Sequence, residues 1–358
     1  MTLTRREFVA GMGLLVGGCS MKEINRLVDD VRQVARLGVI AHAEVGFDST
    51  IKPLENVLRY FLQEGVDAVV IAGGATKRGH KGELEALQRI WHRIFAGTTV
   101  RLVTEEGRTE VNGFAFRVSH RAPSDKSDVL TFHGDGKHAL TDELRFYDRV
   151  YRSVCAGSLN GVTIPTGYEC GGKTSTEVTL PAQQGLLVGA YSSKVVIRRL
   201  DFTQERPLEG FKPAGIYAED VAEEVVLNVD GSASRVREPA PEFWPDTTIK
   251  SHFGAVGDKR VLTVTWPPLL KRFVGVRAFG YEVGVHLVGP DGTRSQAPFL
   301  CKRVLSSKFM LAEERDTEPV SCQFDLAEAA DGKAAVAVTP IGARGDLGKP
   351  VFSAPFQA

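Results

Sequence analysis

Apolar positions between residues 36 and 95 follow strand-like and helix-like patterns in turn. Residues 37–41 form a short apolar run, and a longer run over residues 67–72 ends at Gly73 and Gly74. Two helices are predicted by apolar residues spaced three and four positions apart, namely Leu54, Val57, Leu58 and Phe61 for the first and Leu84, Leu87, Trp91 and Ile94 for the second. The order strand, helix, strand, helix predicts a mostly parallel α/β sheet.

Beyond residue 100 the pattern becomes that of β-strands. Strands are predicted where apolar residues alternate or run together, at residues 111–118, 129–132, 152–156 and 185–200. Residues 203–245 are rich in Pro, Glu and Asp, which is typical of a connecting segment.

From residue 246 onward only strand patterns occur. They lie at residues 261–266, 280–287 and 334–338, and Asp-Gly turns at 290–293 and 330–333 separate them. A strand that ends in Trp266-Pro267-Pro268, with spaced turns over this length, predicts a seven-stranded sandwich. The segment resembles a fibronectin type III module of the immunoglobulin-like all-β class.

The length of 358 residues favours two domains, each able to bury its own core. The predicted division is a signal at 1–19, a polar lead-in at 20–35, an α/β domain at 36–202, a linker at 203–245 and an all-β sandwich at 246–358.

Composition and charge exclude some classes of protein. The 44 basic and 44 acidic residues give a formal net charge of zero, which argues against a protein that coats nucleic acid. A hydrophobic content of 43% and a charged content of 25% are ordinary for a globular chain. No apolar run reaches the roughly 18 residues of a membrane-spanning helix.

The first twenty residues predict export. Arg5 and Arg6 precede an uncharged stretch at residues 9–18, an arrangement that resembles a twin-arginine (Tat) signal. The small residues before Cys19 resemble a lipobox, which implies lipidation of this cysteine and a periplasmic or membrane-anchored lipoprotein. The alternative is a plain cleaved signal with an incidental cysteine. Contact with a membrane is expected only through this lipid anchor.

Four further cysteines lie in the mature chain: Cys155, Cys170, Cys301 and Cys322. An oxidising compartment permits disulfides, and pairing 155 with 170 and 301 with 322 would keep each bridge within one domain. Buried free thiols are an equally good prediction. The wide spacing argues against a zinc site.

Four stretches of the α/β segment carry a family resemblance: residues 38–44, 67–74, 134–142 and 155–159. In position they match the Asp-x-His, Gly-Asp and Gly-His-x-His segments and the Gly-Ser-Leu strand of the calcineurin-like metallophosphoesterases. The chain therefore resembles that family over roughly residues 36–202. The resemblance implies an α/β sheet or sandwich with flanking helices, and a metal site at the strand ends.

The ligand positions depart from the family pattern. Asp-x-His is replaced by His42-Ala43-Glu44, the bridging aspartate by Gly74, and a histidine ligand by Lys137, and Gly-Asn-His is absent. Two adjacent divalent cations need a shared carboxylate to offset their repulsion, and Gly74 offers none. Lys137 adds a positive charge there, although its amine could bind phosphate.

A single divalent metal ion (manganese, zinc or iron) is the remaining metal hypothesis. Its ligands would be His42, Glu44, His133 and Asp135, with His138 nearby on the same loop as the last two. The other interpretation is that these are polar loop residues left from a decayed site. His138 and His120 are the candidates for a catalytic proton donor.

Two functions follow from these residues. One is an exported phosphoesterase that hydrolyses a small phosphate ester through a reduced metal site. The other is a catalytically inactive cell-envelope lipoprotein that binds an envelope component or has a structural role.

Overall fold

The computed structural model describes most of the chain from residue 32 onward. The described residues are 32–46, 48–140, 143–163, 167–170, 173–174, 179–180, 182–202, 219–220, 224–228, 233–234, 240–257, 259–269, 278–306, 319–325, 332–342 and 345–357. Arg5, Arg6, Cys19 and the predicted signal lie outside them. Among the described residues, no helix has the length and apolar character needed to cross a bilayer.

The first part of the chain combines three helices with many strands within the described residues. In chain order these are β1 (Gln33–Ile40), α1 (Asp48–Gln63), β2 (Ala68–Ile71), α2 (Lys81–Phe95), β3 (Arg101–Val103), β4 (Gly107–Val111), β5 (Phe114–Ser119), β6 (Leu130–His133), a 3₁₀ turn (Asp135–Lys137), α3 (Glu143–Phe146), β7 (Tyr147–Asp148), β8 (Ser153–Cys155), β9 (Val162–Thr163), β10 (Tyr168–Cys170), β11 (Lys173–Thr174), β12 (Thr179–Leu180), β13 (Gln184–Tyr191), β14 (Lys194–Asp201), β15 (Glu219–Asp220), β16 (Val225–Asn228) and β17 (Ala233–Ser234).

A mixed central sheet organises this part, with the strand order β17-β16-β14-β13-β1-β2-β3 and β15 beside β14. Strands β1, β2 and β3 run parallel, whereas β13 pairs with β1 and β14 in antiparallel fashion. The predicted strand-helix-strand-helix order is confirmed as β1-α1-β2-α2, but the prediction of a mostly parallel sheet is wrong, because β13 to β17 add antiparallel pairs on one side of β1. Parallel strands place their carboxyl ends at one edge of the sheet, where ligand sites form in such folds.

Both faces of the central sheet are covered. On one face Ile40, Val69 and Ile71 pack with residues of α1 and α2. The predicted face of α1 is fully buried. On α2, Leu87 is buried as predicted and Trp91 and Ile94 pack partly buried against the core, whereas Leu84 is 46% exposed. Gly38 lets α1 approach β1, because a Cβ there would lie 2.4 Å from the ring of Phe61.

A second sheet of order β4-β5-β6-β8-β7 covers the other face. Its strands β5, β6 and β8 are parallel, and Phe116, Phe132 and Val154 share a core with β1 and β13. The strand predicted at 111–118 is confirmed over residues 114–118 as part of β5, but a hairpin turn at Asn112 and Gly113, with φ angles of 50° and 88°, separates it from β4.

Parts of the predicted linker at 203–245 are strands of the central sheet. Strand β16 pairs antiparallel with β14, and β17 extends the sheet beyond it. Val225 and Leu227 are buried in the same core as β1. The expectation that 203–245 only connects two domains is corrected at these residues, because alternate apolar residues there complete the sheet.

The remainder of the described chain is a two-sheet sandwich, called here the C-terminal sandwich. Its strands are β18 (Lys250–Val256), β19 (Lys259–Trp266), β20 (Gly280–Val288), β21 (Leu300–Leu305), β22 (Val320–Asp325), β23 (Lys333–Ile341), β24 (Val351–Phe352) and β25 (Phe356–Gln357). The sheet β18-β19-β22 faces a sheet of order β11-β10-β21-β20-β23-β24, with β25 beside β23.

Inward-facing residues of both sheets form the core of the C-terminal sandwich. Trp266 and Tyr281 pack edge to face with their ring centroids 5.3 Å apart. The hydroxyl of Tyr281 accepts a hydrogen bond from the Leu269 amide at 2.9 Å, and burial raises its pKa to about 12. The strands predicted at 261–266, 280–287 and 334–338 are confirmed as β19, β20 and β23.

One strand crosses the predicted domain boundary. Strand β10, from the predicted α/β domain, pairs in parallel with β21 of the C-terminal sandwich. Cys301 of β21 is exposed and forms no disulfide bond, while Cys322 is buried on β22 in the opposite sheet. The 301–322 bridge is therefore not formed, and the side chain of Cys170 lies outside the described residues.

Candidate functional site at the strand ends

The chain segments after β1 and β2 run side by side at the carboxyl edge of the central sheet. The amides of His42, Glu44 and Val45 donate to the carbonyls of Gly73, Gly74 and Ala75 at 2.9, 2.7 and 3.1 Å. His42 and Glu44 have positive φ angles of 54° and 45°, a strained conformation for these residue types. The two side chains are thereby brought to the same edge of the sheet, with His42 Nδ1 lying 3.6 Å from Glu44 Oε1.

The carboxylate of Glu44 is bound by a lysine and an amide. Lys137 Nζ lies 2.8 Å from Glu44 Oε1, and Asn160 Nδ2 donates to Glu44 Oε2. Lys137 Nζ also donates to the main-chain oxygen of Asn160 at 3.4 Å. Burial opposes ionisation of Glu44, but the hydrogen bonds from Lys137 and Asn160 outweigh it and lower the pKa of the carboxyl. Glu44 is thus an ionised carboxylate whose cation is supplied by the chain itself.

His42 is held as a neutral imidazole. Its Nε2 contacts the carbonyl oxygen of Gly134, which can only accept, so Nε2 carries the proton. Burial lowers the pKa of His42, the contact with Gly134 opposes this, and the charge of Lys137 adds to the lowering. The lone pair on Nδ1 therefore lies on the side of the ring that faces Glu44.

Two glycines permit this close arrangement. Gly74 has a φ angle of 61°, and a Cβ there would lie 3.0 Å from both the Cα and the Nδ1 of His42. A Cβ on Gly134 would come within 1.9 Å of the Ala72 oxygen. The backbone at position 74 therefore suits glycine and leaves little space for a carboxylate side chain beside His42.

Residues 134–140, called here the site loop, follow β6. His133 at its start is only 5% exposed, its Nδ1 has no hydrogen-bond partner among the described residues, and burial lowers its pKa. His138 accepts a hydrogen bond at Nδ1 from Arg145 at 3.2 Å. Burial, with the charge of Arg145, lowers the pKa of His138 to about 4. Both histidines are therefore neutral at pH 7.

His120 and Asp135 lie at the rim of the site. The main-chain amide of His120 donates to Glu106 Oε1 at 2.6 Å, and its imidazole is exposed. Asp135 is exposed and accepts a hydrogen bond from the Ala122 amide at 3.4 Å. The site loop thus brings Lys137 to Glu44, but it leaves Asp135 at the surface.

The predicted metal ligands do not fit a metal ion in this arrangement. Within the described residues, no group of three or more His, Cys, Asp or Glu side chains is placed to hold one. The Lys137 ammonium lies against the Glu44 carboxylate, so a divalent cation there would face a fixed positive charge. Gly74 supplies no bridging carboxylate.

Sequence reasoning missed Asn160 and the role of the turn before α2. Asn160 directly follows the Gly157-Ser158-Leu159 stretch, and the Leu159 amide donates to the Ala41 oxygen at 2.9 Å. The glycine-rich turn before α2 could suggest phosphate binding, but Glu83 accepts hydrogen bonds from the Arg78 and His80 amides at 2.8 and 3.3 Å. The Glu83 side chain therefore already binds the free amides at the start of α2, where a phosphate would otherwise bind.

No protein-family model and no curated protein sequence matches the chain. Among solved structures, it is similar to a single-substitution variant of Vps29 from Entamoeba histolytica, with 12% identity and a TM-score of 0.29 over 54% of this chain and 98% of that one. It is also similar to Vacuolar Protein Sorting 29 from Cryptosporidium parvum, with 13% identity and a TM-score of 0.29 over 53% of this chain and 100% of that one. A third similar structure is Vps29 from Chaetomium thermophilum, with 12% identity and a TM-score of 0.30 over 55% of this chain and 97% of that one.

These similarities cover about half of the chain at low TM-scores, and they carry no argument about activity. The class of the protein rests on its own strand order. It has a mixed α/β sheet domain, followed by a strand-rich region with few helices among the described residues.

Proposed function

We propose that this protein is a catalytically inactive relative of the calcineurin-like metallophosphoesterases, which acts as a binding or structural lipoprotein of the cell envelope. The observation that carries the proposal is the ion pair between Glu44 and Lys137, at 2.8 Å. It puts an organic cation at the strand ends, where a phosphoesterase of this type would place its metal ions.

Charge balance supports an inactive site. Two divalent ions ~3.5–4 Å apart require carboxylates to offset their repulsion. Glu44 is paired with Lys137, and Asp135 is exposed at the rim. A metal ion would therefore have to displace Lys137 and still lack a bridging ligand at position 74.

The proposed location rests on the first twenty residues. Arg5-Arg6, the uncharged stretch and Cys19 support Tat export and lipidation, so that a lipid on Cys19 would anchor the chain to a membrane. A net charge of zero argues against nucleic acid as a partner. An envelope component is then the expected partner, in preference to a small phosphate ester.

The C-terminal sandwich supports an extracytoplasmic binding or structural role. The sheet β18-β19-β22 and the order β21-β20-β23-β24 in the second sheet support a fibronectin type III-like module, to which β10, β11 and β25 are added beyond the predicted seven strands. Such sandwiches occur in many cell-surface proteins. We therefore include a fibronectin type III-like sandwich in the proposal.

The test is metal content, measured by elemental mass spectrometry on protein lacking residues 1–19 and purified without chelator. The proposal expects far less than one equivalent of zinc, manganese or iron, even after incubation with excess manganese. It also expects no turnover of a chromogenic phosphodiester. One bound equivalent that is lost on His42→Ala, together with turnover, would overturn the proposal and restore the hydrolase.

A further inference from the structure

The site loop and the C-terminal sandwich share a buried apolar cluster, called here the inter-domain cluster. Its members come from both parts of the chain and are all buried: Ala139, Val162, Tyr168, Ala182, Phe279, Leu305 and Ile341. Ala139 directly follows Lys137 and His138 in the site loop. The loop that supplies the Lys137 ammonium therefore shares a buried cluster with the sandwich.

Main-chain and ring contacts reinforce this packing. Tyr168 pairs with Arg303 in the parallel bridge between β10 and β21, and His138 forms a parallel bridge with Thr163. The rings of Tyr168 and Phe279 meet edge to face, with centroids 5.6 Å apart. A Cβ on Gly280 would lie 2.7 Å from the Tyr168 ring, so the contact is close. The sandwich is thus joined to β10 by main-chain and ring contacts, and the site loop is joined by main chain to Thr163, a few residues before β10.

The central sheet holds the next residue of the site loop. The Leu140 amide donates to Gln184 Oε1 at 2.8 Å, and the Leu140 oxygen accepts from Arg199 Nη1 at 2.9 Å. Arg199 is only 1% exposed, and its guanidinium lies 4.7 Å from the centroid of the Phe146 ring. The site loop is thus held by the central sheet at Leu140, and at Ala139 it belongs to the buried cluster that it shares with the sandwich.

We infer that the C-terminal sandwich is a structural part of the candidate site, in which Phe279, Leu305 and Ile341 share a buried cluster with Ala139 and thereby position Lys137 against Glu44. The inference goes beyond the proposed function, because it holds whether or not the site is catalytic. A sandwich that served only as a spacer would share no buried cluster with the loop.

The test uses lysine acylation, which reports the environment of the Lys137 amine directly. Folded protein lacking residues 1–19 is treated briefly with trace acetic anhydride, and the modification at each lysine is quantified by mass spectrometry. Lys81, whose side chain is 92% exposed, is the internal reference. Glu44→Gln removes the charge partner of Lys137 directly. This variant therefore sets the upper limit for the increase in Lys137 reactivity.

Phe279→Ala is expected to raise Lys137 reactivity several-fold relative to Lys81, toward the Glu44→Gln value. The matched control is Phe324→Ala, which opens a cavity in the core between the two sheets of the sandwich, away from the inter-domain cluster. In that variant Lys137 reactivity should stay at the wild-type value. Ile341→Val, a smaller change in the same cluster, serves if Phe279→Ala does not fold.

Two results would overturn the inference. One is unchanged Lys137 reactivity in a folded variant of the inter-domain cluster. The other is an equal increase in Phe324→Ala, which would mean that Lys137 responds to global destabilisation only. Neither result depends on metal binding, so the failure of this inference and the failure of the proposed function are distinguishable.

Discussion

The carboxyl edge of the central sheet and the core of the C-terminal sandwich are built on opposite principles. At the sheet edge, His42, Glu44 and Lys137 are held by hydrogen bonds and charge on a backbone with positive φ angles. In the sandwich core, Trp266 and Tyr281 are held by apolar contact on regular strands. The first region should respond to charge and pH, and the second to the volume of its side chains.

The largest effect is expected in the sandwich core. Trp266→Ala should lower the free energy of unfolding by about 3–5 kcal/mol, because it leaves a large cavity between the sheets. Trp244, which is 53% exposed, is the matched control, and Trp244→Ala should change stability by about 0.5 kcal/mol or less. Urea unfolding measures both. Equal effects would show that Trp266 is not a core residue.

A carboxylate introduced at position 74 should destabilise the sheet edge. Gly74→Asp places a Cβ 3.0 Å from His42 at a φ angle of 61°, and should cost about 1–3 kcal/mol. Gly79 has a similar φ angle of 71° with no atom within 4 Å of a Cβ, so Gly79→Asp separates the backbone effect from the contact. Thermal unfolding checks the difference. A Gly74→Asp variant no less stable than Gly79→Asp would contradict the close packing of His42.

Removing the charge of Lys137 should show how much the ion pair with Glu44 contributes to stability. In Lys137→Met the pKa of Glu44 should rise, because the carboxylate loses the ammonium hydrogen bond that lowers it. A double-mutant cycle with Glu44→Gln should give a coupling of about 1 kcal/mol, since both side chains are mostly buried.

The exposed pair of Lys81 and Glu85 on α2 provides the comparison. Its coupling should be about 0.5 kcal/mol or less, as for other exposed helix pairs. The same Lys137→Met protein should be assayed for zinc, because removing the ammonium leaves Glu44 and His42 available as ligands. A coupling at the Glu44–Lys137 pair no larger than that of the surface pair would remove the basis for a fixed internal cation.

The smallest effect is the pH dependence contributed by His138. Its pKa is about 4 in the folded chain and 6.5 without burial, so the unfolded chain binds the proton more readily between these values. The contribution of neutral His138 to the free energy of unfolding should be fully present above pH 6.5 and be lost as the pH drops toward 4. This contribution of His138 to the free energy of unfolding is on the order of 1 kcal/mol, since solvent reaches part of the ring.

Unfolding followed between pH 7 and pH 4 checks this share. His138→Gln should flatten the decline, whereas a substitution at the exposed His252 should leave it unchanged. An unaltered profile in His138→Gln would mean that other groups with lowered pKa values, such as His133, His42 and Glu44, account for the decline.

Local patterns determined much of the fold. The spacing of Leu54, Val57 and Phe61 predicts the buried face of α1, because side chains three and four apart share one face of a helix. The apolar runs at β2 and β19 predict strands for the same kind of local reason. The glycine at 74 and the lysine at 137 can also be read directly as departures from a metal-binding pattern.

Tertiary structure alone decided which partner each polar group meets. Asn160 stands 116 positions from Glu44, and no local period relates the two residues. The pairing of β10 with β21 likewise joins segments that the pattern assigns to separate domains. Periodicity along a chain encodes which face is buried, whereas contacts between distant segments depend on how all the buried faces pack together. For that reason the sequence identified Lys137 as an unusual residue, and only the fold showed that it pairs with Glu44.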